Sequence, residues 1–161
     1  MPSLTPKPYQ TIITNAILDK ARVGVWSFMG SGKTAATLEA IDILRIGGIG
    51  PTLIISTKKV AESVWGEEID AWENFSHMNY SILCGDKGER EAALNKRADV
   101  YTINFENVPW LLDRPDRPQF QIIVVDESSK LRGFRGSFQK HPVSGKIFLR
   151  RGGTSRSSAI A

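Results

Sequence analysis

Apolar positions along this chain follow two alternating periods. Residues 23–28, 52–56, 80–84, 100–104 and 120–125 form short apolar runs of strand length. Between them the spacing turns helical. Residues 9–21 place Ile12, Ile13, Ala16 and Ile17 on one side, and 33–45 do the same through Ala36, Leu38, Ala40, Ile41 and Leu44 before Gly47-Gly48 stops them. Residues 60–72 align Val64, Trp65, Ile69 and Trp72, a stripe whose period suits a core face better than a base-stacking platform. A further helix is expected over 87–97, and a brief helical turn over 108–112 precedes the loop of Pro115 and Pro118.

Strands alternating with helices of this length argue for a mainly parallel sheet flanked by helices on both faces. In such sheets ligands bind beyond the carboxyl ends of the strands. After Leu131 the alternation fails. Residues 133–138 and 146–150 read as a hairpin around Pro142 and Gly145, and a helix is expected to begin at Thr154.

Two segments at strand ends carry chemistry. Ser27-Phe28-Met29-Gly30-Ser31-Gly32-Lys33-Thr34 lies between a strand and a helix. Glycine is needed where backbone N–H groups converge on phosphate oxygens, and the dipole of the following helix favours an anion. Lys33 would supply charge to the β and γ phosphates, and the Thr34 hydroxyl would ligate Mg²⁺. Ser27 stands where the strict phosphate-loop string has glycine.

The second segment is Asp126-Glu127, directly after the apolar run 120–125. Carboxylates at such a place are costly unless they meet a cation or water. Asp126 is expected at the Mg²⁺ held by Thr34, and Glu127 to orient or activate the attacking water. Because Lys33, Thr34 and Asp126 must serve one Mg-nucleotide, strands 23–28 and 120–125 are expected close together near the sheet centre.

Charge adds an asymmetry. All 17 acidic residues lie at or before Glu127, so the first 129 residues, with 13 Lys and Arg, carry −4, and the last 32 carry +8. An acid-free basic segment suits nucleic acid through counterion release; a solvated tail has the same composition. The single Cys84 excludes an intrachain disulfide and a multi-cysteine zinc site, reads as a small buried hydrophobe near a strand end, and suits a reducing cytosol. No apolar run nears the roughly 18 residues of a membrane span, and the N-terminus lacks the pattern of a signal peptide. His77 and His141 have no ligand-spaced partner.

With these residues in hand, the chain resembles the Swi/Snf-type branch of helicase superfamily 2, especially its small phage and bacterial members. Lys7-Pro8-Tyr9-Gln10 resembles that branch's proline-tyrosine-glutamine motif, which implies that Gln10 reads the adenine edge. Met29-Gly30-Ser31-Gly32-Lys33-Thr34 resembles motif I, with Ser31 where leucine is more usual. The run from Leu53 to Val60, with Val64-Trp65 and Trp72, resembles motif Ia and implies that Lys58 and Lys59 lie near a DNA backbone; solvated loop lysines fit the sequence equally. The segment from Tyr101 to Asn107 resembles motif Ib and implies a nucleic-acid role for Asn104. Asp126-Glu127-Ser128-Ser129-Lys130-Leu131 resembles motif II.

The resemblance implies a RecA-like phosphate-loop NTPase lobe over residues 1–131, with 132–161 a basic hairpin and the start of an incomplete helix in the same lobe. It implies ATP and Mg²⁺ as cofactors, DNA as partner, and the cytoplasm of a bacterial or phage-infected cell, with no membrane role. Motif III and the second lobe do not occur in the sequence, so the expected function is the ATP-binding lobe of a DNA-dependent ATPase, inactive or weak until a second RecA-like lobe or another chain completes it. A second reading is a helicase-like lobe that binds nucleotide or a partner protein as a regulatory module without turnover. A small kinase is the third; it is disfavoured because no lid-like arginine cluster lies inside the fold and Asp126-Glu127 suits water activation.

Overall fold

The computed structural model describes residues 1–127 and two strands, 136–140 and 147–151. Helix α1 (Pro8–Asp19) begins with Pro8 in its first turn, where the missing N–H costs nothing. Helix α2 (Lys33–Ile46) starts at Gly32, in left-handed conformation with φ 72°, and ends at Gly47. Strands β1 (Thr52–Ser56), β2 (Tyr80–Ile82), β3 (Val100–Asn104) and β4 (Ile122–Val125) pair only in parallel, in the order β2-β3-β1-β4.

The crossovers are helical. A π-helical turn, Val60–Val64, runs into α3 (Trp65–Ala71). Helix α4 (Lys87–Leu94) is capped by the Asp86 side chain, which accepts from Glu89 N at 2.9 Å while Glu89 returns the bond to Asp86 N. Helix α5 (Val108–Leu112) is short.

Alternating strand residues feed two cores. On one face Ile54 and Val100 meet Leu38 and Ile41 of α2, Trp65 and Ile69 of α3, and Phe75. On the other, Leu53, Tyr101 and Ile103 meet Ala93 and Leu94 of α4 and Leu111 of α5. Period-2 alternation divides one set of strands between two helical layers, so the sheet is covered on both sides. The fold is therefore an α/β lobe with a mainly parallel sheet flanked by helices. Among the described residues no helix is long and apolar enough to cross a membrane.

Strand β5 (Gly136–Lys140) and β6 (Ile147–Arg151) form an antiparallel pair with Gly136 opposite Arg151 and Lys140 opposite Ile147, a sheet separate from the first. This is the expected hairpin, shifted by one to three residues. The helix expected from Thr154 and the segment Ser128–Leu131 lie outside the described residues.

Two expectations are corrected. Residues 23–28 are not a strand, and among the described residues β4 lies at an edge of the sheet rather than its centre. At the end of this segment the Ser27 and Phe28 carbonyls accept from Lys33 Nζ at 3.1 and 2.9 Å, so these two acceptors bond to a side chain instead of a neighbouring strand. Trp26 and Phe28 are left exposed. In α1 the buried residues are the polar Gln10 and Thr14, while Ile12 is exposed. Thr14 Oγ1 hydrogen-bonds with the Ala36 carbonyl and the Glu39 carboxylate, so α1 docks on α2 through polar contacts.

Candidate functional site

The loop before α2 is shaped for an anion. Gly30 and Gly32 have φ of 75° and 72°, the left-handed region that side chains with a Cβ avoid. An alternation of this kind turns successive N–H groups inward, and the N-terminus of a 14-residue helix follows directly. Ser31, between the glycines, is 1% exposed, and its hydroxyl has no hydrogen-bond partner among the described residues.

Lys33 and Thr34, the first residues of α2, line a cavity of about 800 Å³. Asp126 and Glu127 line the same cavity from the carboxyl end of β4, where Asp126 N donates to the Ile55 carbonyl at 2.9 Å and continues the parallel ladder one step beyond the strand. Glu127 has φ 60°, the one positive φ at a residue other than glycine among those described. A strained residue at the lip of a cavity belongs to a class that concentrates at functional sites. Residues 20–26 form the opposite wall, and Thr37 and Trp65 also contribute.

These residues fit a Mg-nucleotide. A glycine nest, a buried unpartnered hydroxyl, an ammonium, a second hydroxyl and two carboxylates converge where parallel-sheet ligands bind. Lys33 would hold phosphate oxygens, and Thr34 and Asp126 would hold Mg²⁺.

The other residues singled out in the sequence stand elsewhere. Gln10 is buried, and its amide is engaged within the chain: Oε1 accepts from Lys7 N at 2.8 Å, and Nε2 donates to the Gly32 carbonyl at 3.3 Å. Met29 is 92% exposed at the loop tip. Lys58 and Lys59 are exposed just past β1, with Lys58 paired to Glu62 at 3.7 Å across one helical turn. Asn104 is buried at the end of β3; its Nδ2 donates to Glu106 Oε2 at 2.7 Å and its Oδ1 accepts from Cys84 Sγ at 3.6 Å. Burial pushes the Cys84 thiol up from its ordinary pKa, so it is not activated as a nucleophile.

Two wall residues had no signal of function in the sequence. Thr37, one turn after Thr34, was not singled out. Trp65 reads as core, which it is at 3% exposure, yet its buried indole N–H has no partner among the described residues at the cavity wall.

No protein-family profile matches the chain. Protein p41 of Acyrthosiphon pisum secondary endosymbiont phage 1 is 39% identical over 165 aligned positions that take in all of this chain and 33% of that protein. The chain thus spans about a third of the length of the curated relative it matches. Among solved structures, the SWI2/SNF2 ATPase core of Sulfolobus solfataricus in complex with dsDNA superposes with a TM-score of 0.62 at 21% identity, over 80% of this chain and 27% of that one. The likeness is one of fold. This chain shares the α/β fold of part of that core.

Proposed function

We propose that the chain is the ATP-binding lobe of a DNA-dependent ATPase of the superfamily 2 helicase or translocase type, acting in the cytoplasm of a bacterial or phage-infected cell. The observation that carries the reading is the single cavity lined by Lys33 and Thr34 from the start of α2 and by Asp126 and Glu127 from the end of β4.

Mg-ATP, when bound, supplies the phosphoanhydride that is cleaved. The Gly30–Gly32 backbone and Lys33 hold the phosphates, Thr34 and Asp126 hold the metal, and Glu127 orients the water and takes its proton. Gln10 is assigned to the adenine side, which requires its amide to exchange its bond to the loop for one to the base. Lys58 and Lys59 are assigned to the DNA backbone, with the carboxyl end of β3 at Asn104 beside them. A second RecA-like lobe, in cis or from another chain, completes the pocket with an arginine.

The presence of both Asp126 and Glu127 favours hydrolysis over a binding-only regulatory module, for which Glu127 has no use. Calorimetry with Mg-ADP tests the site. Wild type is expected to bind weakly and Lys33→Ala not at all; equal affinity would overturn the assignment. ATP turnover by the isolated chain, with and without DNA, is expected to be near zero, since a supplied arginine can be worth about 10³–10⁵ in rate. Brisk DNA-stimulated turnover by the monomer would overturn the need for a second lobe.

A further inference from the structure

A second cavity, of about 560 Å³, opens at the amino ends of β1 and β3, the opposite end of the strands from Asp126 and Glu127. Ile49, Leu94 and Pro118 give it an apolar lining, and its charged lining residues are Arg45, Lys96, Arg97 and Asp99. Three cations thus face one carboxylate, in a body whose first 129 residues carry a net −4.

The one carboxylate is engaged. Asp99 Oδ2 accepts from Asn79 N at 2.9 Å, and Arg45 stands 3.8 Å from its Oδ1. Arg45 is held further by Asp42 at 3.1 Å. Lys96 and Arg97 are exposed, and among the described residues, which hold all 17 acidic side chains, neither has a carboxylate partner. The loop that carries them is fixed from below. The buried Tyr101 donates from Oη to the Lys96 carbonyl at 2.8 Å and accepts from Ala98 N at 3.0 Å. A loop pinned in this way loses little freedom when a partner arrives.

Apolar surface adjoins the charge. Ile43 and Ile46, one helical turn apart, are 46% and 71% exposed on the last turns of α2, and Ile49 is 41% exposed in the cavity lining. A single exposed isoleucine is ordinary. Three at intervals of three, ending in a cavity with two unpaired cations, have the layout of a protein interface, apolar at its centre and charged at its rim. A nucleic-acid backbone would meet the cations and leave the isoleucines in water.

We infer that this surface docks an acidic, amphipathic segment of a partner protein, with its carboxylates on Lys96 and Arg97 and its apolar side chains on Ile46 and Ile49. The docking uses none of Lys33, Thr34, Asp126 and Glu127, so it stands apart from the nucleotide reading. Charge complementarity selects the partner and speeds its arrival, and the isoleucines supply apolar burial.

Fluorescence anisotropy on the whole chain tests this, with a fluorescein-labelled, helix-forming peptide of leucine and glutamate as probe. The controls are a peptide with serine for each leucine, one with lysine for each glutamate, and a labelled DNA duplex. The leucine–glutamate probe is expected to bind at least tenfold more tightly than either control peptide, and more weakly as salt rises. Lys96→Glu with Arg97→Glu, at two exposed positions, is expected to weaken it at least tenfold, and Ile46→Ser several-fold, with circular dichroism to verify folding. Lys96→Gln with Arg97→Gln replaces the reversal if that chain does not fold. Three outcomes each overturn the docking surface: no binding of the probe, equal binding of the serine peptide, or a probe affinity that the charge changes leave as it was. Duplex binding that is lost on charge reversal, with the acidic probe unbound, overturns it too and makes the patch a nucleic-acid site.

Discussion

The Gln10 side chain donates from Nε2 to the Gly32 carbonyl at 3.3 Å, tying the first helix to the turn that opens the second. Gly32 therefore serves two demands. Its φ of 72° needs glycine, and a Cβ there would come within 2.1 Å of the Gln10 amide nitrogen. Gly30 has a φ of 75° and open space around its missing Cβ.

Alanine at the two positions should separate these demands. Gly30→Ala is expected to destabilise the fold by about 1 kcal/mol, the lower end of the left-handed penalty. Gly32→Ala is expected to cost about 2–3 kcal/mol, because displacing Gln10 adds a broken, partly buried hydrogen bond to the backbone penalty. Urea unfolding of both variants measures the difference, and equal losses would show that the Gln10 contact contributes nothing.

Glu127 offers the opposite trade. Its φ of 60° makes glycine conformationally cheaper there. Glu127→Gly is expected to raise stability by about 0.5–1 kcal/mol, the left-handed penalty less the added chain entropy of glycine. ATP turnover in an assembly completed by a second lobe is expected to vanish, with nucleotide binding largely kept. Thermal melting and turnover of the same variant check both halves.

The π-helical turn after Lys59 depends on one hydroxyl. Thr102 Oγ1, fully buried in β3, donates to the Ala61 carbonyl at 2.7 Å. Thr102→Val keeps the volume and leaves that carbonyl without its donor, so a loss of about 1–3 kcal/mol is expected. Faster hydrogen exchange should be confined first to residues 58–64, which carry the two lysines assigned to DNA.

Two acids should weaken the fold on the alkaline side. The hydrogen bond from Tyr80 Oη to Asp70, at 2.7 Å, and then burial raise the Tyr80 pKa above its ordinary 10.0. Burial raises Cys84 above its ordinary 9.0, against a smaller lowering by its bond to Asn104. Both groups thus keep their protons longer folded than unfolded. Their contribution is complete below the unfolded values and is lost as pH rises through the raised ones. The melting temperature is expected to fall from pH 9 upward, and Tyr80→Phe to flatten the part above pH 10.

Periodicity alone located most of the lobe. Thr52–Ser56 and Val100–Asn104 emerge at their expected bounds because buried central strands have few alternatives: their apolar residues must face helices on both sides. The turn before α2 was legible for a similar reason, since the positive φ of Gly30 and Gly32 meets a local backbone demand that leaves a local signature. Asp126-Glu127 stood out because two charges at the end of an apolar strand conflict with burial. These features depend on neighbours in the chain, so the sequence by itself determined them.

What depended on distant partners was decided only in three dimensions. Helical spacing picked out Ile12, Ile13, Ala16 and Ile17, yet the buried residues of α1 are Gln10 and Thr14, because the start of α2 offers the Gly32 and Ala36 carbonyls as acceptors. For Asn104 the resemblance implied a nucleic-acid role, and folding places Cys84 and Glu106 against its amide, contacts no local pattern announced. Residues 23–28 carry the side chains of a strand, yet among the described residues their backbone pairs with no strand, and the Phe28 and Ser27 carbonyls accept from the Lys33 ammonium instead. Side-chain type sets what a segment can do, and the competition for its hydrogen-bonding groups, which tertiary structure alone reveals, sets what it does.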